Sequence, residues 1–310
     1  MDVIKACVLM STYNGEKYIN EQIDSLLEQD QIDVTIMVRD DGSQDRTKDM
    51  INEYILKGDK ILFLEANQNI GPAASFMKLI YDAPAGFDIY LLSDQDDIWF
   101  PDKIKCAYEI ISRHRDNGIP LLYCSNQYLY IDGKKKNLRF SSEPNHSLIS
   151  TLFGNHIAGC TMAFNTELLI TLKDTKADLG VLKIRMHDTW IMLIANLCGK
   201  VLYDKEGHML YRIHDDNTVG ISNESIIRRL VLAKNKIADK RFMNGRSKIA
   251  RVLLDSGIIM DKHEYELLAQ ISDYKYSFRN KYTVMRNKEI LENCPDHQLI
   301  LCLKLLINWL

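Results

Sequence analysis

No two of the seven cysteines are spaced CxxC, and their number is odd. Cys7, Cys124 and Cys160 sit inside apolar, strand-like runs. The set therefore reads as reduced core residues of a cytosolic protein, with the spacing of neither a disulfide frame nor a zinc site. The longest apolar run, the C-terminal "LILCLKLLINWL", is shorter than the ~20 residues that a membrane-spanning helix needs. The opening "MDVIKACVLMSTYN" lacks a basic region followed by a long apolar one, so no signal peptide is expected. GxxxxGK[ST] is absent, as is GxGxxG after the first apolar run, and the readings as ATPase or dinucleotide dehydrogenase lose support. A GxSxG elbow is also missing, which removes the usual serine-hydrolase signature. Neither an internal repeat nor a low-complexity segment occurs.

What is present is ordinary in bulk and uneven in place. The 310 residues are 46% hydrophobic and 26% charged, with a net charge of −3. That length suits one large α/β domain with an appendage, or two domains. A net negative chain has no broad attraction for nucleic acid. From Ser222 to Leu310 there are 16 Lys and Arg against 10 Asp and Glu, a surplus of +6 that leaves −9 for residues 1–221. An acidic front and a basic tail suggest two jobs.

Along the front, apolar runs alternate with helix-period segments. "ACVLMS", "DVTIMVRDDGS", "KILFLEANQN" and "DIYLLSD" read as strands. Between them, "GEKYINEQIDSLLEQD" places Tyr18, Ile19, Ile23, Leu26 and Leu27 on one helical face, "DRTKDMINEYILKG" ends on Gly58 as a C-cap, and "PAASFMKLIYDA" forms a third helix. Another helix follows Pro101, then "LLYCSNQYLYI" as a strand, the polar loop "DGKKKNLRFSSEPNHS", the strand "GCTMAFN", the helix "DTWIMLIANLCG" and the short strand "KVLYD". Such alternation predicts an α/β fold with mostly parallel strands and crossover helices. From Ser225 the pattern turns helical, with a boundary near Gly220: a catalytic domain over 1–221 and a helical, basic region over 222–310.

In open α/β sheets ligands sit outside the carboxyl ends of the strands. Polar clusters fall at four such ends: "STYNGE", "RDDGSQD", "NQNIG" and "SDQDD". In the last, Asp94 and Asp96 can reach toward one point while Gln95 faces away. Hard carboxylate oxygens of this kind suit Mg²⁺ or Mn²⁺ with substrate phosphates completing the shell. Asp97 or Asp102 can equally serve as helix caps, and "DDGS" as a turn with Gly42 at positive φ.

"VLMSTYNGEKYINEQIDSLLEQ", "VRDDGSQDRT", "NQNIGPAASF", "SDQDDIWFPDK" and "MHDTWIMLIANLCGKVLYDKEGHMLYRIHDDNTVG" together resemble family 2 glycosyltransferases of the GT-A fold, a Rossmann-like fold that binds nucleotide-diphospho-sugars. They look most like the bacterial rhamnosyltransferases of cell-surface polysaccharide synthesis (capsule, O-antigen or rhamnan). The resemblance covers about the first 220 residues. It implies that Thr12, Tyr13 and Glu16 wall the nucleotide base, that Asp41, with Asp40 as neighbour, hydrogen-bonds it, and that Asn67, Asn69 and Gly71 contact the donor. It further implies that Asp94 faces ribose or metal, that Asp96 holds the divalent ion on the diphosphate, and that His214 of "YRIHDDN" adds a metal ligand, with Asp215 and Asp216 as lesser candidates. Asp188 of "MHDTW" resembles the catalytic base. It sits where a helix N-terminus favours an anion, so capping and catalysis are compatible. His187 stands where many relatives carry an acidic residue, and Trp99 and Trp190 read as core or site wall.

The implied activity is inverting, metal-dependent transfer of L-rhamnose from dTDP-rhamnose to a glycan or polyprenyl-linked acceptor. A UDP-linked galactose, glucose or N-acetylhexosamine donor, or a catalytically silent nucleotide-sugar-binding subunit, stands as the alternative. A sugar-phosphate nucleotidyltransferase would need an early glycine- and arginine-rich phosphate loop, which is absent. From Ser225 to Leu254 nine basic residues and one acidic residue interleave with apolar ones. That pattern reads as peripheral binding at the cytoplasmic membrane face, or as a helical subdomain or homodimer contact.

Overall fold

The computed structural model describes residues 3–66, 68–115, 118–175, 179–214 and 244–310. Asn67, Asp215, Asp216, Gly220 and the basic stretch from Ser225 to Met243 lie outside them. The chain forms two compact units. The first joins Met1–Pro144, Ile157–Asp174 and Gly199–Asp216; the second joins Asn145–His156, Thr175–Cys198 and Asn217–Leu310.

The first unit is built on β1 (Ile4–Thr12), α1 (Ile19–Leu27), β2 (Ile32–Asp40), α2 (Thr47–Lys57), β3 (Ile61–Glu65), α3 (Pro72–Asp82), β4 (Ile89–Ser93), β5 (Ile98–Trp99), α4 (Lys103–Arg113), β6 (Leu121–Ile131), β7 (Lys134–Leu138), β8 (Met162–Phe164), α6 (Thr166–Thr175) and β9 (Lys200–Arg212). Its sheet runs β3-β2-β1-β4-β8-β6-β9-β5, with β7 paired to β6. β1 pairs in parallel with β2 and β4, and β2 with β3. The apolar runs of β1 and β4 are continuous because both faces of these central strands are covered: Ala6–Met10 and Ile89–Ser93 are buried throughout.

Local chemistry sets the helix ends. Gly58 closes α2 at φ 93°, donating its N–H to the carbonyls of Ile55 and Tyr54, a left-handed cap that costs glycine no Cβ clash. Gly71 at φ 83° precedes Pro72, which starts α3 where a helix needs no N–H donor. On α1, Ile19, Ile23 and Leu26 are fully buried, whereas Tyr18 lies just before the helix and faces the site.

The structure differs from the sequence reading in three places. The polar loop after β6 contains β7, a lysine-rich hairpin strand exposed over four of its five residues. β8 runs antiparallel to both its neighbours, β4 and β6. The short strand "KVLYD" continues to Arg212, following β6 in parallel through two register shifts.

The second unit carries α5 (Leu148–Gly154), α7 (Leu179–Leu182), α8 (His187–Cys198), α9 (Gly245–Asp255), α10 (Lys262–Asp273), α11 (Phe278–Arg286), α12 (Lys288–Asn293) and α13 (Gln298–Leu306). α5 packs on α8, and α9 on α10. α8 is apolar nearly all round and correspondingly buried. A reciprocal capping box of Asp261 and Glu264 starts α10. Described residues 244–310 are helical and carry no strand, as their pattern predicts.

Candidate functional site

The strand order reverses at β1, which has β2 on one side and β4 on the other, so a crevice opens between the carboxyl ends of β1 and β4. The loops around it are bonded side chain to main chain. Asp40, fully buried, accepts from the backbone N–H groups of Gly42 (3.1 Å) and Ser43 (2.8 Å) and from the hydroxyls of Ser43 (2.5 Å) and Thr12 (3.1 Å). Asp41 accepts from Arg39 Nη1 at 2.6 Å and from the N–H groups of Ile70 (3.0 Å) and Gly71 (2.8 Å), holding the "NQNIG" turn against β2. Asn69 accepts from the Gly71 N–H at 3.0 Å. Glu16 accepts from the Arg46 N–H at 3.0 Å. The first of these carboxylates organises its loop, and the second joins two loops.

Gln95, expected to face away, has a defined task. Its Oε1 accepts the Tyr13 N–H at 2.8 Å, and its Nε2 donates to the Tyr13 carbonyl at 3.0 Å. This two-point clasp crosses the crevice like a strand pair and leaves Tyr13 44% exposed. It requires Gly15, where a Cβ would lie 2.4 Å from Gln95 Oε1.

The acids flanking Gln95 take different partners. Asp96 Oδ2 lies 2.7 Å from His214 Nε2, and the Tyr18 ring lies 5.0 Å from that imidazole. Asp94 gathers with Asp97 and Cys160, the three donor atoms within 4.8 Å of one another. Asp97 is buried and precedes β5, capping no helix; its Oδ1 accepts the Arg212 N–H at 3.1 Å. Burial, then the charges of Asp96 and Asp94, pushes the Asp97 carboxyl well above the usual carboxylate range. Beneath it the buried Lys103 ammonium donates to the Cys160 carbonyl at 2.6 Å and lies 3.7 Å from the centre of the Trp99 ring. Burial lowers Lys103 to about 8. Arg212 ties this region together: its Nε donates to the Asp96 carbonyl at 2.8 Å, its guanidinium pairs with Glu21, and it lies over the rings of Tyr18 and Tyr130. Neither Arg212, within "YRIHDDN", nor Lys103 is marked as a site residue by the sequence alone. The lone lysine opening an amphipathic helix carries no local signal of burial.

Asp96 and His214 bring an oxygen and a nitrogen donor to one point, a set that suits Mn²⁺ and, less well, the oxygen-preferring Mg²⁺. The residues fit a divalent ion. In the second unit, Asp188 lies in the first turn of α8, accepting from the Thr189 N–H at 2.5 Å and the Thr189 hydroxyl at 3.3 Å. Its neighbour His187 is buried, and that burial lowers the imidazole to about 3, so it is neutral at physiological pH.

A mostly parallel, curled sheet with polar loops gathered at its switch point defines an α/β fold of the GT-A type. Residues 7–169 match the profile "Glycosyl transferase family 2", and the chain belongs to that family. It is a glycosyltransferase. It is 33% identical over 258 residues to the dTDP-rhamnosyl transferase RfbG of Shigella flexneri, covering 81% of this chain and 86% of that protein. Its fold is similar to that of S. aureus TarS residues 1–349, with a TM-score of 0.58 and 20% identity over 98% of this chain and 80% of TarS. The mannosyltransferase PcManGT from Pyrobaculum calidifontis, solved with GDP-Man and Mn²⁺, has a similar fold at a TM-score of 0.50 and 13% identity, covering 97% of this chain and 86% of PcManGT.

Proposed function

We propose that the protein transfers L-rhamnose from dTDP-rhamnose, with inversion, to a glycan or lipid-linked saccharide acceptor in bacterial cell-surface polysaccharide synthesis. The 33% identity to the dTDP-rhamnosyl transferase carries the choice of donor. Thr12, Tyr13 and Glu16 wall the base, Asp41 and its tethered turn of Asn69 and Gly71 shape the floor beneath it, and Asp94 faces the ribose. Asp96 and His214 hold a divalent cation, Mn²⁺ or Mg²⁺, which when bound neutralises the diphosphate leaving group, an effect of several kcal/mol. Asp188 takes the proton of the acceptor hydroxyl, contributing about 10²- to 10⁴-fold. The hydroxyl oxygen attacks the anomeric carbon in line as the bond to the diphosphate breaks, and the configuration inverts.

Supporting peripheral attachment at the inner membrane face are the basic surplus of the C-terminal third and the exposed Leu299, Leu303 and Leu306 on α13 with Ile307 at its C-cap. No helix of the described residues is long and apolar enough to cross a membrane. Co-sedimentation with anionic liposomes tests the attachment; a homodimer that stays in the supernatant would replace it.

The test of the reaction is a donor screen. Protein is incubated with dTDP-rhamnose and a panel of UDP- and GDP-sugars, with Mn²⁺, Mg²⁺ or chelator, and released nucleoside diphosphate is read. Release from dTDP-rhamnose alone, lost with chelator and in Asp96→Ala, is expected. Asp188→Asn abolishes transfer yet retains donor binding. Release from a UDP-hexose instead moves the donor assignment, and release indifferent to both chelator and Asp96→Ala refutes the metal role.

A further inference from the structure

A second cluster of metal-ligating side chains lies where α4 begins, and the proposed reaction uses none of it. Asp102 occupies the N-cap position of α4, yet its carboxylate makes no capping hydrogen bond. Its Oδ2 lies 3.7 Å from Cys106 Sγ, one turn along the helix, and 3.3 Å from Nδ1 of His208 on β9. The three donor atoms all fall within 4.8 Å of one another. The other ring nitrogen of His208, Nε2, is 3.1 Å from Asp204 Oδ2, which also accepts the Tyr123 hydroxyl at 3.0 Å.

We propose that Asp102, Cys106 and His208 form a binding site for a thiophilic divalent cation of the zinc class, with water as the fourth ligand, sharing no residue with the Asp96–His214 pair. The two spacings from Asp102 suit such an ion. With bonds of about 2.3 Å to sulfur and about 2.0–2.1 Å to nitrogen and oxygen, a tetrahedral ion separates its sulfur and oxygen ligands by about 3.6 Å and its nitrogen and oxygen ligands by about 3.3 Å. The observed separations are 3.7 Å and 3.3 Å. The donor set of thiolate, imidazole and carboxylate selects zinc over magnesium or calcium, which prefer oxygen alone.

The surroundings of His208 add an independent argument. Ligating imidazoles commonly donate their second N–H to a carboxylate, which fixes ring and tautomer. Asp204, itself held by Tyr123, is placed to accept that N–H, and Nδ1, 3.3 Å from the Asp102 carboxylate, gives up its proton to solvent as the ion takes that place. The His208 side chain is only 10% exposed and so is fixed, while that of Asp102 is 52% exposed and gives the ion a path from solvent. On binding, the Cys106 S–H releases its proton to solvent and the thiolate joins the ion. The bound ion staples the start of α4 to β9, the strand that goes on to carry Arg212 and leads to His214.

The test uses the full chain, freed of metal by chelation and titrated with Co²⁺ as an optical stand-in for zinc. A saturable thiolate-to-cobalt charge-transfer band with intense tetrahedral d–d bands, displaced by zinc, is expected in the wild type and in Asp96→Ala. Cys106→Ser loses the charge-transfer band, and Asp204→Asn weakens zinc by about 10- to 100-fold. Should Cys106→Ser fail to fold by circular dichroism, His208→Gln and Asp102→Asn take its place, each expected to weaken zinc at least tenfold. Absence of the band in the wild type, its survival in Cys106→Ser, or unchanged affinity in the other variants overturns the site.

Discussion

Substituting Gly15 by alanine tests how the two sides of the crevice are joined. The new Cβ would lie 2.4 Å from Gln95 Oε1 and 2.7 Å from Cδ, so the glutamine end must leave. The obstacle is the tip of a flexible side chain, so the backbone can stay; what is lost is the clasp of 2.8 Å and 3.0 Å on the Tyr13 peptide. Two hydrogen bonds contribute a net of about 1–3 kcal/mol. The Tyr13 groups are exposed and water can replace the amide, which places the loss near about 1 kcal/mol. Because Tyr13 is proposed to wall the base, the loss falls on donor binding, about fivefold in dissociation constant. Calorimetric titration with dTDP measures it, with urea unfolding run in parallel. Gln95→Ala removes the same two bonds by another route and should weaken dTDP equally. The double variant should be no worse than either single one, since both act through one contact. Additive losses, or a defect in Gly15→Ala that Gln95→Ala does not share, refute the clasp.

Gly199→Ala meets a harder obstacle, because its Cβ would lie 2.0 Å from the backbone carbonyl oxygen of Pro120, beside the first pairing of β6 with β9. That variant should lose several kcal/mol in urea unfolding, as overpacking and backbone displacement predict, whereas Gly58→Ala meets no atom within 4 Å and is resisted only by its φ of 93°. Equal losses for the two would contradict the close approach. His187 stays neutral when folded, with its value lowered from 6.5 to about 3, and regains an ordinary value on unfolding. The unfolded state therefore binds the extra proton, and stability falls as pH drops below about 6.5, by up to about 1.4 kcal/mol per pH unit. His187→Gln should flatten the dependence of the urea midpoint between pH 6.5 and 4; an unchanged slope would show that other groups dominate it. Lys103→Met leaves the buried Cys160 carbonyl without the ammonium that donates to it at 2.6 Å and should be destabilising by about 1–3 kcal/mol in the same assay.

Most of the first unit was legible because its signals are local. β6 coincides with "LLYCSNQYLYI", and Gly58 caps α2 as its place after the apolar period requires. β7 was missed because its residues, Lys134 to Leu138, are lysine-rich and exposed and show no apolar alternation, so only the hairpin pairing with β6 makes them a strand. β5 has two residues, too few for any period to appear. The direction of β8 was unreadable, since the run "MAF" looks the same parallel or antiparallel and its neighbours β4 and β6 decide it.

The sequence by itself determined the alternation of strands and helices, the polar clusters at the strand ends and, by resemblance, Asp94, Asp96, Asp188 and His214 as residues to watch. Tertiary structure alone decided which atoms meet. Asp96 and His214 are 118 positions apart and touch at 2.7 Å, and Asp102 reaches His208 across 106 positions. Gln95 turned from a bystander into the tether of Tyr13, and Asp97 from a cap into a buried acid that holds β9. Helical and strand periods are set by neighbours in the chain, whereas contacts over a hundred residues depend on strand order and register, which pairing along the whole sheet selects.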